Sequence, residues 1–195
     1  GPFKLVQWVQ GDRIELAKNA EYWGEPAQLD RATFRIIADP AAELAALMAG
    51  DIDTFPNFQA TENLPMLAAD PRFTVAVGST EGETILAMNN KKGPLADVRV
   101  RRAISHAVDR QAVIDGAMFG NGTPIGSQFA PHHPAYVDLT DTYPLDLDKA
   151  KALLAEAGYA DGFKATLKLP PPTYARRGGE LIVSDLKKIG VELEI

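Results

Sequence analysis

The stretch LAMNNKKGPLADVRVRRAISHAVDRQAVID, Leu86 to Asp115, decides the reading of the fold, because the periodicity of the chain changes inside it. Up to Met88 the sequence runs in short β-branched and apolar pieces. Beyond the polar loop Asn89 to Pro94, which holds two breakers, apolar residues recur every three or four positions. Asp97 can cap a helix whose stripe is Val100, Ile104, Ala107 and Val108, and Asp109 can cap a second one carrying Val113, Ile114 and Ala117. Arg99, Arg101, Arg102 and Arg110 fall off that stripe. The spacing predicts capped helices with solvated basic faces and a boundary near Asn90, dividing the chain into residues 1-90 and 91-195.

Upstream, Phe3 to Val9 and Arg13 to Ala17 alternate around Gln10-Gly11-Asp12, which predicts a hairpin. Ala32 to Ile37 reads as a strand. Asp39-Pro40 opens a short helix, Ala41 to Ala49, that Gly50 ends, and Ile52 to Phe55 reads as the next strand of a βαβ-like unit. A short helix over Glu62 to Ala69 and strands over Arg72 to Val77 and Glu83 to Met88 follow. Downstream, Gly116 to Pro134 is a long irregular segment. Asp148 to Ala157 and Tyr174 to Ile189 read as helices, and Ala165 to Leu169 and Val191 to Ile195 as strands. The fold class is α/β, with mixed sheets flanked by helices.

The 195 residues suffice for one large or two small domains, with 46% hydrophobic and 24% charged residues. A net charge of -6 argues against nucleic acid, whose phosphates need clustered cations. No apolar run of about 18 residues exists, so the chain is not membrane-spanning. Zero cysteines exclude disulfides and thiolate sites. The opening Gly-Pro, without a methionine and directly before a strand, suggests an excised or processed piece.

Candidate chemistry is sparse. His132-His133 invites a metal, yet adjacent side chains on extended backbone point apart, so the pair reads as loop histidines, and nothing asks for a metal or cofactor. Asp51 and Asp53 offer a carboxylate pair, and His106 a base, for a hydrolase; nothing supplies a nucleophile or the differing environments such a pair needs. The arginines after Asp97 have local acidic partners, and Arg176-Arg177-Gly178-Gly179 is a weak phosphate signal. Trp8, Tyr22, Trp23 and Phe58 fall at turns and strand ends, where aromatics line clefts or satellite cores.

The order of blocks says more than any block alone. GPFKL, a strand pair, NAEYWG (Asn19 to Gly24), AELAALMAGDID (Ala42 to Asp53), the Leu86 to Asp115 block, LDLDKAKALLAEAGYADGF (Leu145 to Phe163) and LKKIGVELEI together resemble the extracellular solute-binding proteins of peptide and nickel type that serve ABC importers. The resemblance implies a type II periplasmic binding protein-like fold of two lobes closing on a ligand by hinge motion. It makes residues 1-90 a returning part of the first lobe and 91-195 the opening of the C-terminal lobe. It implies an incomplete fragment, a periplasmic or lipid-anchored location, and ABC importer permease subunits as partners. The expected ligand is an oligopeptide or peptide-like molecule, with no enzymatic step. The segments implied to face the ligand are Asn57, Phe58 and Gln59, and Glu81, Gly82, Glu83, Thr84, Ile85 and Leu86, where free backbone groups could pair with an extended peptide. Thr84 and Leu86 stand where some peptide binders carry bulky aromatics. A non-transport sensor of the same fold is the remaining alternative.

Overall fold

Alternation at the amino terminus produces the expected hairpin and extends it by one strand. In the computed structural model, which describes residues 1–195, β1 (Phe3–Val9), β2 (Arg13–Lys18) and β3 (Arg31–Arg35) form an antiparallel meander in the order β1-β2-β3. Leu5 faces Leu16 and Trp8 faces Ile14, with a bulge between Leu5 and Gln7. Ile14 in turn faces Phe34. The next element, α1 (Pro40–Ala49), begins where Asp39 accepts the N–H of Ala42 at 2.8 Å and ends at Gly50, whose φ of 80° only glycine adopts without strain.

The two compact units of the chain are Gly1–Ala60 and Thr61–Ile195. The second contains α2 (Leu64–Ala69), α3 (Val98–Ala107), α4 (Arg110–Met118), α5 (Leu147–Glu156), β4 (Phe163–Thr166), α6 (Thr173–Lys187) and β5 (Val191–Glu194). Its core is built on Val100, Ile104 and Ala107 of the predicted α3 stripe together with Ala103, while Val108, the last residue of that stripe, ends the helix and packs half-buried against the cluster. It closes against Ala150 and Leu154 of α5, Leu186 at the end of α6, Ile189, and Val191 of β5. Burying such side chains stabilises by about 1.5–3 kcal/mol each for the larger ones. Leu86 and Met88 pack, partly buried, against this core.

β4 and β5 run parallel, Phe163 opposite Val191 and Ala165 opposite Leu193, and α6 supplies the crossover such a pair requires. Both strands are entered through a glycine in the left-handed region, Gly162 (φ 77°) and Gly190 (φ 85°). They approach so closely that a side chain on Gly162 would strike the carbonyl of Gly190. On the other face α6 meets α4 through small residues: Gly178 lies against Val113 and Ala117, and Gly116 against Leu181.

Several expectations are corrected. Ile52 to Phe55, Arg72 to Val77 and Glu83 to Met88 form no ladder, because β-propensity becomes a strand only where a neighbour offers its N–H and C=O groups, and none lies beside them. The βαβ-like unit therefore stops after its helix. The short helix expected from Glu62 splits into a 3₁₀ turn, Thr61–Asn63, and α2, which starts at Leu64 so that Pro65 sits in the first turn, where its missing N–H costs nothing. The irregular segment begins at Phe119 rather than Gly116, since α4 runs on to Met118.

Candidate functional site

The first predicted ligand segment, Asn57 to Gln59, carries Phe58, whose ring is tilted against that of Phe55 with centroids 5.7 Å apart. Asn57 is exposed and Phe58 half-buried. Gln59 is held from below by Glu43, the one charged residue in the alanine and leucine helix α1. Glu43 is only 3% exposed, and its carboxylate accepts both the backbone N–H of Gln59 (2.9 Å) and its side-chain amide (3.1 Å). A carboxylate this deeply buried is tolerated because both oxygens are engaged. Sequence reasoning passed over Glu43; its signal is a lone acid in an apolar helix.

The second segment, Glu81 to Leu86, is unpaired backbone. Gly82 donates to Thr80 Oγ1 at 3.1 Å, and Leu86 turns inward onto the α3 and α5 core, while Thr84 and Ile85 are exposed. Glu81 is engaged by a residue that the sequence reading set aside as a loop histidine: His132 Nε2 lies 2.7 Å from Glu81 Oε1. His133 turns elsewhere. Its ring stacks on Phe129 at 4.5 Å and its Nδ1 accepts the N–H of Ala135 at 3.0 Å, so the two histidines serve different partners, as adjacent side chains on irregular backbone do.

A further concavity was not foreseen. At the carboxyl ends of β4 and β5 an open hollow of about 710 Å³ is lined by Leu167, Leu169, Pro170 and Pro171, by Arg176 and Glu180 of α6, and by Ile195. The carboxyl ends of parallel strands are where open α/β sheets bind ligands. Its sequence signal is the Pro170-Pro171-Pro172 loop between a strand and a helix.

Each candidate hydrolytic group has a structural or solvent-exposed setting of its own. His106 is 2% exposed, with Nδ1 2.7 Å from the carbonyl of Pro144 and its ring edge-on to Tyr143. The backbone N–H of Asp146, the cap of α5, donates to the His106 carbonyl at 2.9 Å. His106 therefore ties α3 to the start of α5. Asp51 and Asp53 are both exposed.

The basic run is likewise structural. Asp97 caps α3 through the N–H of Arg99 (2.8 Å) and pairs with its guanidinium (2.6 Å), which holds the Asp97 carboxyl at a pKa of about 2. Arg99 also donates to the Glu156 carbonyl at 2.6 Å, Arg101 to those of Leu95 and Ala96, and Arg110 to those of Tyr143 and Ser105. Arg177 lies over the Phe119 ring at 5.1 Å and 3.5 Å from Glu62. No helix is long and apolar enough to cross a membrane.

Comparison with known proteins places this arrangement. The chain is 34% identical to "Heme-binding protein A" of Haemophilus influenzae over 98% of its own length and 36% of that protein's. It is 32% identical to the "Dipeptide-binding protein" of Escherichia coli, over 100% of this chain and 37% of the relative. Among solved structures, the periplasmic binding protein DppA of Helicobacter pylori in complex with the peptide STSA superposes with a TM-score of 0.89 at 32% identity, covering all of this chain and 38% of DppA. The chain thus spans less than two fifths of the length of these relatives, and its fold is that of a part of a periplasmic binding protein. The profile of the bacterial extracellular solute-binding proteins, family 5 (middle), matches residues 1–195, the whole chain, and the chain belongs to that family.

Proposed function

We propose that this chain is part of the solute-binding component of an ABC importer, which captures an oligopeptide or peptide-like molecule between two lobes and hands it to the permease subunits without transforming it. The observation that carries this reading is the family match over every residue, 1–195, at about one-third identity to a dipeptide-binding relative. Residues 1-90 then belong to the returning part of the first lobe and 91-195 to the C-terminal lobe, in a protein that works in the periplasm or at the outer face of the membrane.

Within that reading, Asn57 to Gln59 and Glu81 to Ile85 contact the ligand. Asn57 and Phe58, and Glu83 to Ile85, carry backbone groups without partners beside exposed polar side chains, the combination an extended peptide uses when it binds as an added strand. Leu86 contributes by anchoring its segment to the core rather than by touching the ligand. The buried, strut-like His106 and the exposed Asp51 and Asp53 favour binding over hydrolysis.

The test is thermal denaturation of the whole protein with di- to pentapeptides, glutathione, nickel chelates, haem and opines, each mixture then assayed for product. A ligand that binds only the folded state raises Tm, by about 2.7 kcal/mol of stabilisation at 100 times its Kd. A peptide is expected to give this shift and to be recovered intact. Stabilisation by none of the panel, or turnover of any member, sinks the reading.

A further inference from the structure

Segment 78–86 and the irregular loop after α4 are fastened very differently. The loop braces itself. Its Ala130 is buried, Ser127 Oγ accepts the N–H of Val137 (3.2 Å), His133 N–H donates to the Ala130 carbonyl (2.9 Å), and Tyr136 N–H donates to that of His133 (3.0 Å). Asp138 takes both the N–H and the hydroxyl of Thr140 (3.1 and 2.7 Å), and Gly126 lies so close to the backbone of Leu139 and Thr140 that no side chain fits there. Phe129 stacked on His133 closes the turn.

Segment 78–86 has little of this. Its ordering contacts are the turn at Thr80 and Gly82, the inward Leu86, and the link from Glu81 to His132. Glu83, Thr84 and Ile85 have no backbone partner. One exposed contact between an imidazole and a carboxylate is a weak stabiliser, but on a stretch without a ladder it is the only polar tie to another part of the fold. The asymmetry sets the direction of its effect: a braced group orients a loose one.

We infer that His132 is a positioning residue: mounted on the self-braced loop, it clasps Glu81 and fixes the course of segment 78–86. The inference depends on the proposed ligand role of residues 81–85 only for its consequence in binding, where loss of the clasp loosens one wall of the site.

Limited proteolysis of the whole protein with proteinase K, which needs a locally loosened chain, tests it without any ligand. His132→Ala and Glu81→Ala are each expected to speed cleavage within 78–86 about two- to fivefold, the range that the energy of an exposed pair allows. The double variant should go no further than either single one, and cleavage within 126–140 should keep its parent rate. His132→Gln, which retains an N–H donor at similar reach, should stay closer to the parent than His132→Ala. Unchanged cleavage within 78–86 in His132→Ala, or equal acceleration within 126–140, overturns the clasp. Because no ligand enters the measurement, such a failure is separate from failure of the transport reading, which is tested by ligand-induced thermal shift and by recovery of the ligand intact.

Discussion

Glu43 Oε2 accepts the backbone N–H of Gln59 at 2.9 Å while Oε1 accepts the same residue's side-chain amide at 3.1 Å, so one buried carboxylate fixes both ends of a single glutamine. The consequence lies two residues upstream. With Gln59 held, Phe58 is kept against Phe55 and Asn57 remains exposed at the surface.

Glu43→Ala leaves the amide and the backbone donor of Gln59 without their acceptors, and a hydrogen bond to a charged group is worth about 1.5–3 kcal/mol. The expected loss of stability is about 2 kcal/mol, read from the denaturant midpoint. Glu43→Gln keeps one carbonyl acceptor in the same shape and should recover about half of it. Equal midpoints for Glu43→Ala and the parent would show that Gln59 is held by something else.

The pairing of Asp97 with Arg99 yields a pH dependence of known sign. The carboxyl is held at about 2 in the folded chain, first by the guanidinium of Arg99 and then by its N–H, against an ordinary value of about 3.9. A depressed pKa means that the unfolded chain binds the proton more readily. The contribution of Asp97 is therefore complete above about pH 4 and disappears as the pH falls towards about 2. Asp97→Asn should remove this part of the acid sensitivity, so that the Tm difference between parent and variant shrinks from pH 5 to pH 2. A difference that stays constant over that range would contradict the assignment.

Much of this was legible in the sequence because it is local. The N-caps Asp39, Asp97, Asp109 and Asp146, the apolar stripe of α3 and the stop at Gly50 are all specified within a few residues of where they act. Ile52 to Phe55 and Glu83 to Met88 were misread as strands because pairing is a property of two segments, and β-branched composition describes only one of them. The same limit hid the engagement of Glu81 by His132 and of Gln59 by Glu43, which join residues far apart in the chain. The family could be recognised from the order of its blocks; the partner of each polar side chain could not.

Asp185 presents the same kind of long-range tie inside the second unit. It is 6% exposed near the end of α6, and accepts the backbone N–H of Asp109 at 3.0 Å and the ammonium of Lys188 at 2.7 Å. It thereby docks α6 on the junction between α3 and α4. Asp185→Ala should cost about 2–3 kcal/mol, chiefly by orphaning the Asp109 donor, whereas Lys188→Ala, which removes an exposed partner, should cost clearly less. Equal losses in urea denaturation would mean that the exposed ion pair and not the helix junction is what matters.

His106 separates a strut from a base. Its imidazole is packed against Tyr143 and bonded to the carbonyl of Pro144, so His106→Ala should destabilise by about 3 kcal/mol through a cavity and an orphaned acceptor. Peptide recovered after incubation with the whole protein should be intact with parent and variant alike. Cleavage by the parent that the variant lacks would restore the hydrolytic reading.

Two glycines of the second unit should respond oppositely to the same added methyl group, because what stands in the way differs. At Gly179, in the middle of α6, a Cβ would lie 2.5 Å from Leu169 Cδ1, the free end of a flexible side chain in the loop that lines the hollow. Alanine gains about 1 kcal/mol over glycine in a helix, and the leucine can rotate away. Gly179→Ala should therefore stay within about 1 kcal/mol of the parent while the methyl resonances of Leu169 move. At Gly162 the obstacle is the carbonyl of Gly190, and the φ of 77° is itself unfavourable for alanine. Backbone at the mouth of a parallel strand pair cannot step aside without breaking the pairing of Phe163 with Val191. Gly162→Ala should cost several kcal/mol, on the order of the largest single-site losses, and slow-exchanging amides of β4 and β5 should become fast. If Gly162→Ala were as stable as Gly179→Ala, the close approach of the two strand entrances would not exist in solution, and the hollow at their far ends would lose its frame.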